Sequence, residues 1–148
     1  MKLIMENWRG FLKEELSQHS KFENNVTLTK GIESVGGHEV ESNTFSLQGG
    51  KLVVWKNSPF AQGAHSIFSF SVDESRRGQG IGSKLIDAVI KNYHGEEISG
   101  QVSSLASLKV FFNKGFVPTG GQVSNFDQLA KMFDENYGSL NMRLNKNV

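Results

Sequence analysis

The sequence predicts an α/β (α+β) fold: a mixed, mostly antiparallel central sheet with helices on both faces. Three observations carry this reading. Residues 44–47 and 52–56 are strand-like runs separated by Gln48-Gly49-Gly50-Lys51, and Gly-Gly between such runs signals a hairpin. Residues 65–72, HSIFSFSV, lead through four polar residues into a glycine-rich turn and a helical pattern. From there strand-like and helix-like segments alternate to the end. The 148 residues fit one domain spanning 1–148 with a sizeable core.

Taken in order, residues 3–18 read as a helix, with Ile4, Met5, Trp8, Phe11, Leu12 and Leu16 on one face. Residues 19–25 are polar and read as loop, and residues 26–29 as a short strand. Residues 34–42 carry the Gly36-Gly37 break and too few apolar residues to assign. Residues 57–64, NSPFAQGA, form a loop before the central strand at 65–72. Strict alternation along that strand puts His65, Ile67, Ser69 and Ser71 on one face and Ser66, Phe68, Phe70 and Val72 on the other. Residues 83–93 form a helix, with Leu85, Ile86, Val89, Ile90 and Tyr93 at helical spacing. Residues 97–103 are the next strand. Ser103 or Ser104 then caps a helix with Leu105, Leu108, Phe111 and Phe112 as its buried stripe, stopped at Gly115. Phe116-Val117-Pro118 begins another strand. Residues 124–137 read as a helix, with Ser124 and Asp127 approximating a capping box and Phe126, Leu129, Ala130, Phe133 and Tyr137 on one face. Leu140, Met142 and Leu144 alternate as a closing strand.

The turn Arg77-Gly78-Gln79-Gly80-Ile81-Gly82 is the stretch that carries chemistry. Glycines let backbone approach a ligand, and a helix start offers unpaired N–H donors in a field that favours anions. Arg76 and Arg77 add positive charge, so a phosphate or pyrophosphate suits the turn. Two phosphate motifs fail here. A P-loop needs Lys directly after its last glycine, whereas Gly82 is followed by Ser83-Lys84. The dinucleotide fingerprint needs GxGxxG, whereas Gly78, Gly80 and Gly82 give GxGxG.

A third pattern fits. Val72, Arg77, Gly78, Gly80, Ile81, Gly82 and Leu85 together resemble the acetyl-CoA pyrophosphate loop of the GCN5-related N-acetyltransferases (GNAT). A second family signature, a helix of the form Asn-x-x-Ala-x-x-x-Tyr-x-x-x-Gly-Phe, is met as Ser104, Ser107, Phe111 and Gly115-Phe116. The resemblance is specific from residue 68 to 116. It implies a GNAT fold, with a splay between the two middle strands where the cofactor enters. It also implies acetyl-CoA as that cofactor, held by Phe70, Ser71 and Val72 on the strand, by Arg77, Gly78, Gln79, Gly80, Ile81, Gly82 and Ser83 at the turn, and by Ser104 and Phe111 on the following helix. Lys109 or Lys114 would meet the nucleotide phosphates or lie on a solvated face. The expected activity is acetyl-CoA-dependent transfer of acetyl to a primary amine by direct attack in a ternary complex, the alternative being a non-catalytic acyl-CoA-binding or structural relative.

Two departures bear on mechanism. Relatives use a tyrosine to protonate the leaving thiolate, and Phe111 stands in its place. Tyr137 or water is left as the acid, a role worth ~10²–10⁴-fold. No carboxylate lies on the central strand, so Ser69 or Ser71 is the candidate to position a water as base, with His65 at the strand's outer end and Glu74 near the turn. Residues 120–138 form a second departure, an added amphipathic helix that packs on the core, covers the acceptor site or makes a dimer contact.

Composition narrows the partners. The net charge of +1 gives no field for nucleic acid or an anionic membrane. With no cysteine there is no disulfide or thiolate chemistry. The four histidines show no metal-ligand spacing, so no metal site is expected. No signal peptide or membrane span is read from the sequence, which predicts a cytoplasmic protein. The acceptor is a small-molecule or peptide amine, and the protein a monomer or homodimer.

Overall fold

The computed structural model describes residues 19–21 and 25–145. The helix read over 3–18 lies outside these residues. Among the described residues eight strands form one sheet: β1 (His19–Lys21), β2 (Thr27–Val35), β3 (His38–Leu47), β4 (Gly50–Lys56), β5 (His65–Val72), β6 (Ile98–Val102), β7 (Val117–Pro118) and β8 (Leu140–Leu144). Their order is β1-β2-β3-β4-β5-β6-β8-β7. β5 and β6 pair in parallel and the other neighbours antiparallel. The helices are α1 (Ile81–Asn92), α2 (Leu105–Asn113) and α3 (Phe126–Glu135). The mixed, mostly antiparallel sheet is the one expected. No helix among the described residues is long and apolar enough to cross a membrane.

The three described helices bury their stripes on one face of the sheet. Leu85, Ile86 and Val89 of α1, Leu108 and Phe111 of α2, and Leu129 and Phe133 of α3 join one core with Phe45, Leu52, Val54, Ile98 and Met142. On the far side of the sheet, Ser99, Gln101, Asn141 and Arg143 alternate with those inward residues.

The unassigned residues 34–42 belong to a long hairpin. β2 and β3 pair from Thr27↔Ser46 to Val35↔His38 about Gly36-Gly37, at φ +55° and +82°. Both glycines take the left-handed backbone that a tight hairpin turn requires. The outer arm is solvated, so its side chains lack the apolar alternation that marks a half-buried strand.

Capping residues set the helix starts. Ser104 caps α2, its Oγ accepting from the Ser107 N–H at 3.1 Å. Leu105, read as part of the buried stripe, is 54% exposed because it occupies the first helical position, ahead of the turn that meets the core. α3 is capped one residue later than Ser124: Asn125 Oδ1 accepts from the Gln128 N–H at 2.9 Å, and Gln128 Oε1 accepts from the Ser124 N–H at 2.7 Å. Gln128 thus takes the role assigned to Asp127, since its longer amide reaches back past the cap.

Strict alternation along β5 fails at Phe68. Ile67 pairs with Val54 and Ser69 with Val53, so Phe68 is an extra residue in a β-bulge. Past the bulge Phe70 and Val72 pack on the helix-side core, as Ile67 does before it. Phe68 instead stacks on Trp55, ring centroids 4.1 Å apart.

Candidate functional site

The site forms where β5 and β6 part. Their parallel ladder runs His65↔Ile98, Ser66↔Ser99 and Ile67↔Gly100 and then stops. Both strands continue, to Val72 and Val102, so a wedge opens between them. Gly100 closes the apex: a Cβ there would lie 3.1 Å from Phe111 Cε2 and 3.3 Å from Ile67 Cβ. Phe111, 1% exposed, is the floor, packed on Phe70 and Phe116.

Three cavities meet along this wedge. A helix-side cavity of about 500 Å³ is lined by Phe70–Val72, Arg76–Gly78, Gly80–Ser83, Ser103, Ser104 and Ser107. The wedge itself holds about 130 Å³, bounded by Ile67–Phe70, Gln101–Ser103, Ser107 and Phe111. A groove of about 780 Å³ lies on the opposite face, lined by Phe60, Ser66, Phe68, Ser99, Gln101 and Asn141 among others. Phe70, Ser103 and Ser107 border the first two, and Ile67, Phe68, Gln101 and Ser103 border the last two.

The turn at the first cavity is built by glycine for two different reasons. Gly78 and Gly80 sit at φ +86° and +76°, and a Cβ on either would meet nothing within 4 Å. They are there for the backbone conformation, and Gly80 is the N-cap of α1. Gly82 is helical, and its Cβ would lie 3.1 Å from Phe70 Cζ, so its absence lets α1 close on β5. Ile81 anchors the turn from beneath: a Cβ on Gly50 would come within 2.5 Å of Ile81 Cγ2.

Most residues singled out in the sequence converge here. Phe70, Ser71, Val72, Arg77, Gly78, Gly80, Ile81, Gly82, Ser83 and Ser104 all line the helix-side cavity, and Phe111 lines the wedge. Gln79 lines neither. Tyr137 is not at the site: it follows α3 at φ +60°, is 99% exposed and lines none of the three cavities. The helix ends at Glu135 with Asn136 as its C-cap, so the apolar stripe does not extend to Tyr137. Lys114 pairs with Asp87 at 2.8 Å and Lys109 lies 4.4 Å over the Phe126 ring, so both are engaged within the helix layer.

His65 is committed to structure. It is 2% exposed, its ring stacks on Tyr93, Nδ1 accepts from the Asn57 N–H at 3.1 Å, and Nε2 lies 2.5 Å from Glu96 Oε1. Nδ1 accepting leaves the proton on Nε2, donated to Glu96. Sequence reading missed Ser103 and Gln101 as lining residues and took Ser107 only as a small residue. Serines at 103, 104 and 107 bracket a helix start, a spacing that carries a hydroxyl cluster once the cap is placed.

The Acetyltransferase (GNAT) domain profile matches residues 50–131, from the start of β4 into α3. The chain belongs to the GNAT acetyltransferase family. No curated protein matches this GNAT chain. Among solved structures it is similar to a histone acetyltransferase HPA2 and related acetyltransferase from Corynebacterium glutamicum, at 18% identity and TM-score 0.48, over 82% of this chain and 64% of that one. It is also similar to a protein assigned as a streptothricin acetyltransferase from Bacillus anthracis, solved with acetyl coenzyme A, at 18% identity and TM-score 0.46, over 87% of this chain and 82% of that one. The chain thus spans less than two thirds of the first of these.

Proposed function

We propose that residues 1–148 act as a single-domain N-acetyltransferase that moves acetyl from acetyl-CoA to a primary amine by direct attack in a ternary complex. The observation that carries this is the row of three cavities with shared lining residues, from the glycine turn, through the wedge, to the groove on the opposite face. Acetyl-CoA, the family's donor, supplies a thioester carbonyl open to an amine.

The residues present suit that donor. The left-handed glycines and the start of α1 turn backbone N–H groups toward a diphosphate, with Arg76 and Arg77 beside them. Past Ile67, β5 keeps β4 on one side and has no β6 partner on the other. The amide-bearing arm of CoA can pair with that edge as an added strand. Ser71 lines the phosphate-side cavity, so it serves donor binding. Ser69 lines the wedge, where its hydroxyl can hold the water that takes the amine's proton. A free alkyl amine, with pKa ~10.4, must shed that proton before attacking. The acceptor, a small-molecule or peptide amine, enters from the far groove. Glu97 there is paired with Arg143 at 3.3 Å, leaving hydroxyls and amides as the main polar lining. We place the reaction in the cytoplasm, where acetyl-CoA is available.

One observation favours the second reading, an acyl-CoA binder without turnover: among the described residues, none that lines the wedge is ionisable. Calorimetric titration with acetyl-CoA, followed by thiol release against a panel of amines, separates the two. The chain has no cysteine, so a thiol reagent reports only released CoA. The transferase binds and releases thiol; the binder only binds; no binding overturns both. Gly80→Asp strains the left-handed cap and sets a carboxylate against the phosphates, and is expected to weaken acetyl-CoA affinity at least ~10-fold. Unchanged affinity would remove the diphosphate from this turn.

A further inference from the structure

We infer that Ser107 is the leaving-group stabiliser, its hydroxyl hydrogen-bonding the CoA sulfur as negative charge develops on it. The inference rests on the acetyl-CoA reading above. Breaking the thioester C–S bond sends an electron pair to sulfur, and among the described residues lining the wedge no side chain is ionisable. Of the side chains described there, hydroxyls and one amide can meet that charge. The amide, Gln101, donates from Nε2 to Ser139 Oγ at 2.8 Å.

Ser107 differs from the other two wedge serines in its wiring. Like Ser103 it borders both the wedge and the phosphate-side cavity, at the bend a ligand spanning them must pass, but it is half-buried where Ser103 is exposed. Ser104 Oγ accepts the Ser107 N–H at 3.1 Å and donates its own proton to Ser107 Oγ at 3.0 Å. With an acceptor position filled, Ser107 is left to donate, and the bond it receives polarises the one it gives. Ser107 also lies four residues before Phe111 on one helix face. A long helical side chain leans back toward the helix N-terminus, so the Phe111 ring shares the wedge with the Ser107 hydroxyl but offers no proton.

The bond changes balance as follows. The amine nitrogen forms its bond to the carbonyl carbon, the C–S bond breaks toward sulfur, and the proton lost by the amine reaches sulfur through water. A serine hydroxyl is a far weaker acid than a thiol, so Ser107 keeps its proton and holds the thiolate by a charge-assisted bond.

The test uses free CoA and desulfo-CoA, which lacks the sulfur, titrated onto the full chain between pH 7 and 9. A bond donated to the thiolate lowers the bound thiol below its ordinary pKa of ~8.5, so wild-type affinity for CoA rises with pH relative to desulfo-CoA. Ser107→Ala is expected to weaken CoA binding at pH 9 by ~10- to 100-fold, to flatten its pH dependence and to leave desulfo-CoA affinity unaltered. Alanine keeps the N–H that Ser104 caps and is a good helix former, so α2 is retained. An unchanged pH dependence in Ser107→Ala, or equal losses for CoA and desulfo-CoA, would overturn the role. A wild-type chain that binds neither compound would overturn the transferase reading itself and this inference with it.

Discussion

At the scale of single residues, the buried polar pair behind the site sets a stability signature. Tyr93 stacks on His65, and its hydroxyl meets the Asn43 amide at 2.5 Å. Burial pushes the Tyr93 phenol above its ordinary value, with the nearby Glu41 and Glu96 charges adding to the rise and hydrogen bonds to Asn43 and Asn92 opposing it. Below pH ~10 the phenol is protonated in both folded and unfolded chains and contributes no pH dependence. Above it, the unfolded chain releases the proton while the fold retains it, so stability falls as pH rises toward the folded pKa. Tyr93→Phe is expected to lower stability at pH 7 by ~1–3 kcal/mol, because it strands the Asn43 amide. It should also flatten the decline above pH 10. Denaturant melts at pH 7, 9 and 10.5 check both parts, and a parallel offset at all three would reject the titration.

At the scale of elements, the glycine turn depends on a contact well outside it in sequence. The first residue of α1, Ile81, rests on Gly49 and Gly50 at the start of β4, where there is no room for another carbon. Gly50→Ala is therefore expected to cost ~1–3 kcal/mol through overpacking. It should weaken acetyl-CoA binding as well, because Ile81 moves with the turn it begins. A variant that loses stability with affinity intact would show that the turn holds its shape without this support. The β5 bulge works in the same way in the middle of its strand. One added residue, Phe68, lets Ile67 and Phe70 both face the core and turns an aromatic ring, 57% exposed, toward the groove on the far face of the sheet.

At the scale of the whole molecule, the site is a defect in a sheet that is otherwise paired from β1 to β7. Gly100 holds the apex closed, and the wedge lies between the helix-side cavity and the far groove, sharing lining residues with each. A ligand lying along it ties β5 to α1 and α2 at once. Acetyl-CoA at 100 times its dissociation constant is expected to stabilise the fold by ~2.7 kcal/mol, visible as a raised melting temperature. CoA should reproduce the shift, and ATP or NAD should not, since neither carries an arm to fill the wedge. An equal shift with ATP would reassign the turn as a general phosphate site.

The glycine turn, the strand before it, the Ser104 cap and the closing strand were legible in the chain because each depends on neighbours a few residues away. A left-handed backbone asks for Gly78 and Gly80, a helix start for Ser104, and a half-buried strand for the alternation of Leu140, Met142 and Leu144. Those local demands also carry the proposal of an anion at the turn and, with the Gly115-Phe116 helix end, the likeness to the GNAT family. The parting of β5 from β6, the bulge at Phe68, the seating of Ile81 on Gly50 and the exposure of Tyr137 were decided only in three dimensions. Each turns on a contact between residues distant in sequence or on where a helix stops, and neither periodicity nor turn chemistry encodes a non-local distance. The same division separates the two ends of the wedge. The glycine turn is one short segment, whereas the far groove is assembled from β5, β6, β8 and the loop at Phe60, which meet only when the sheet closes.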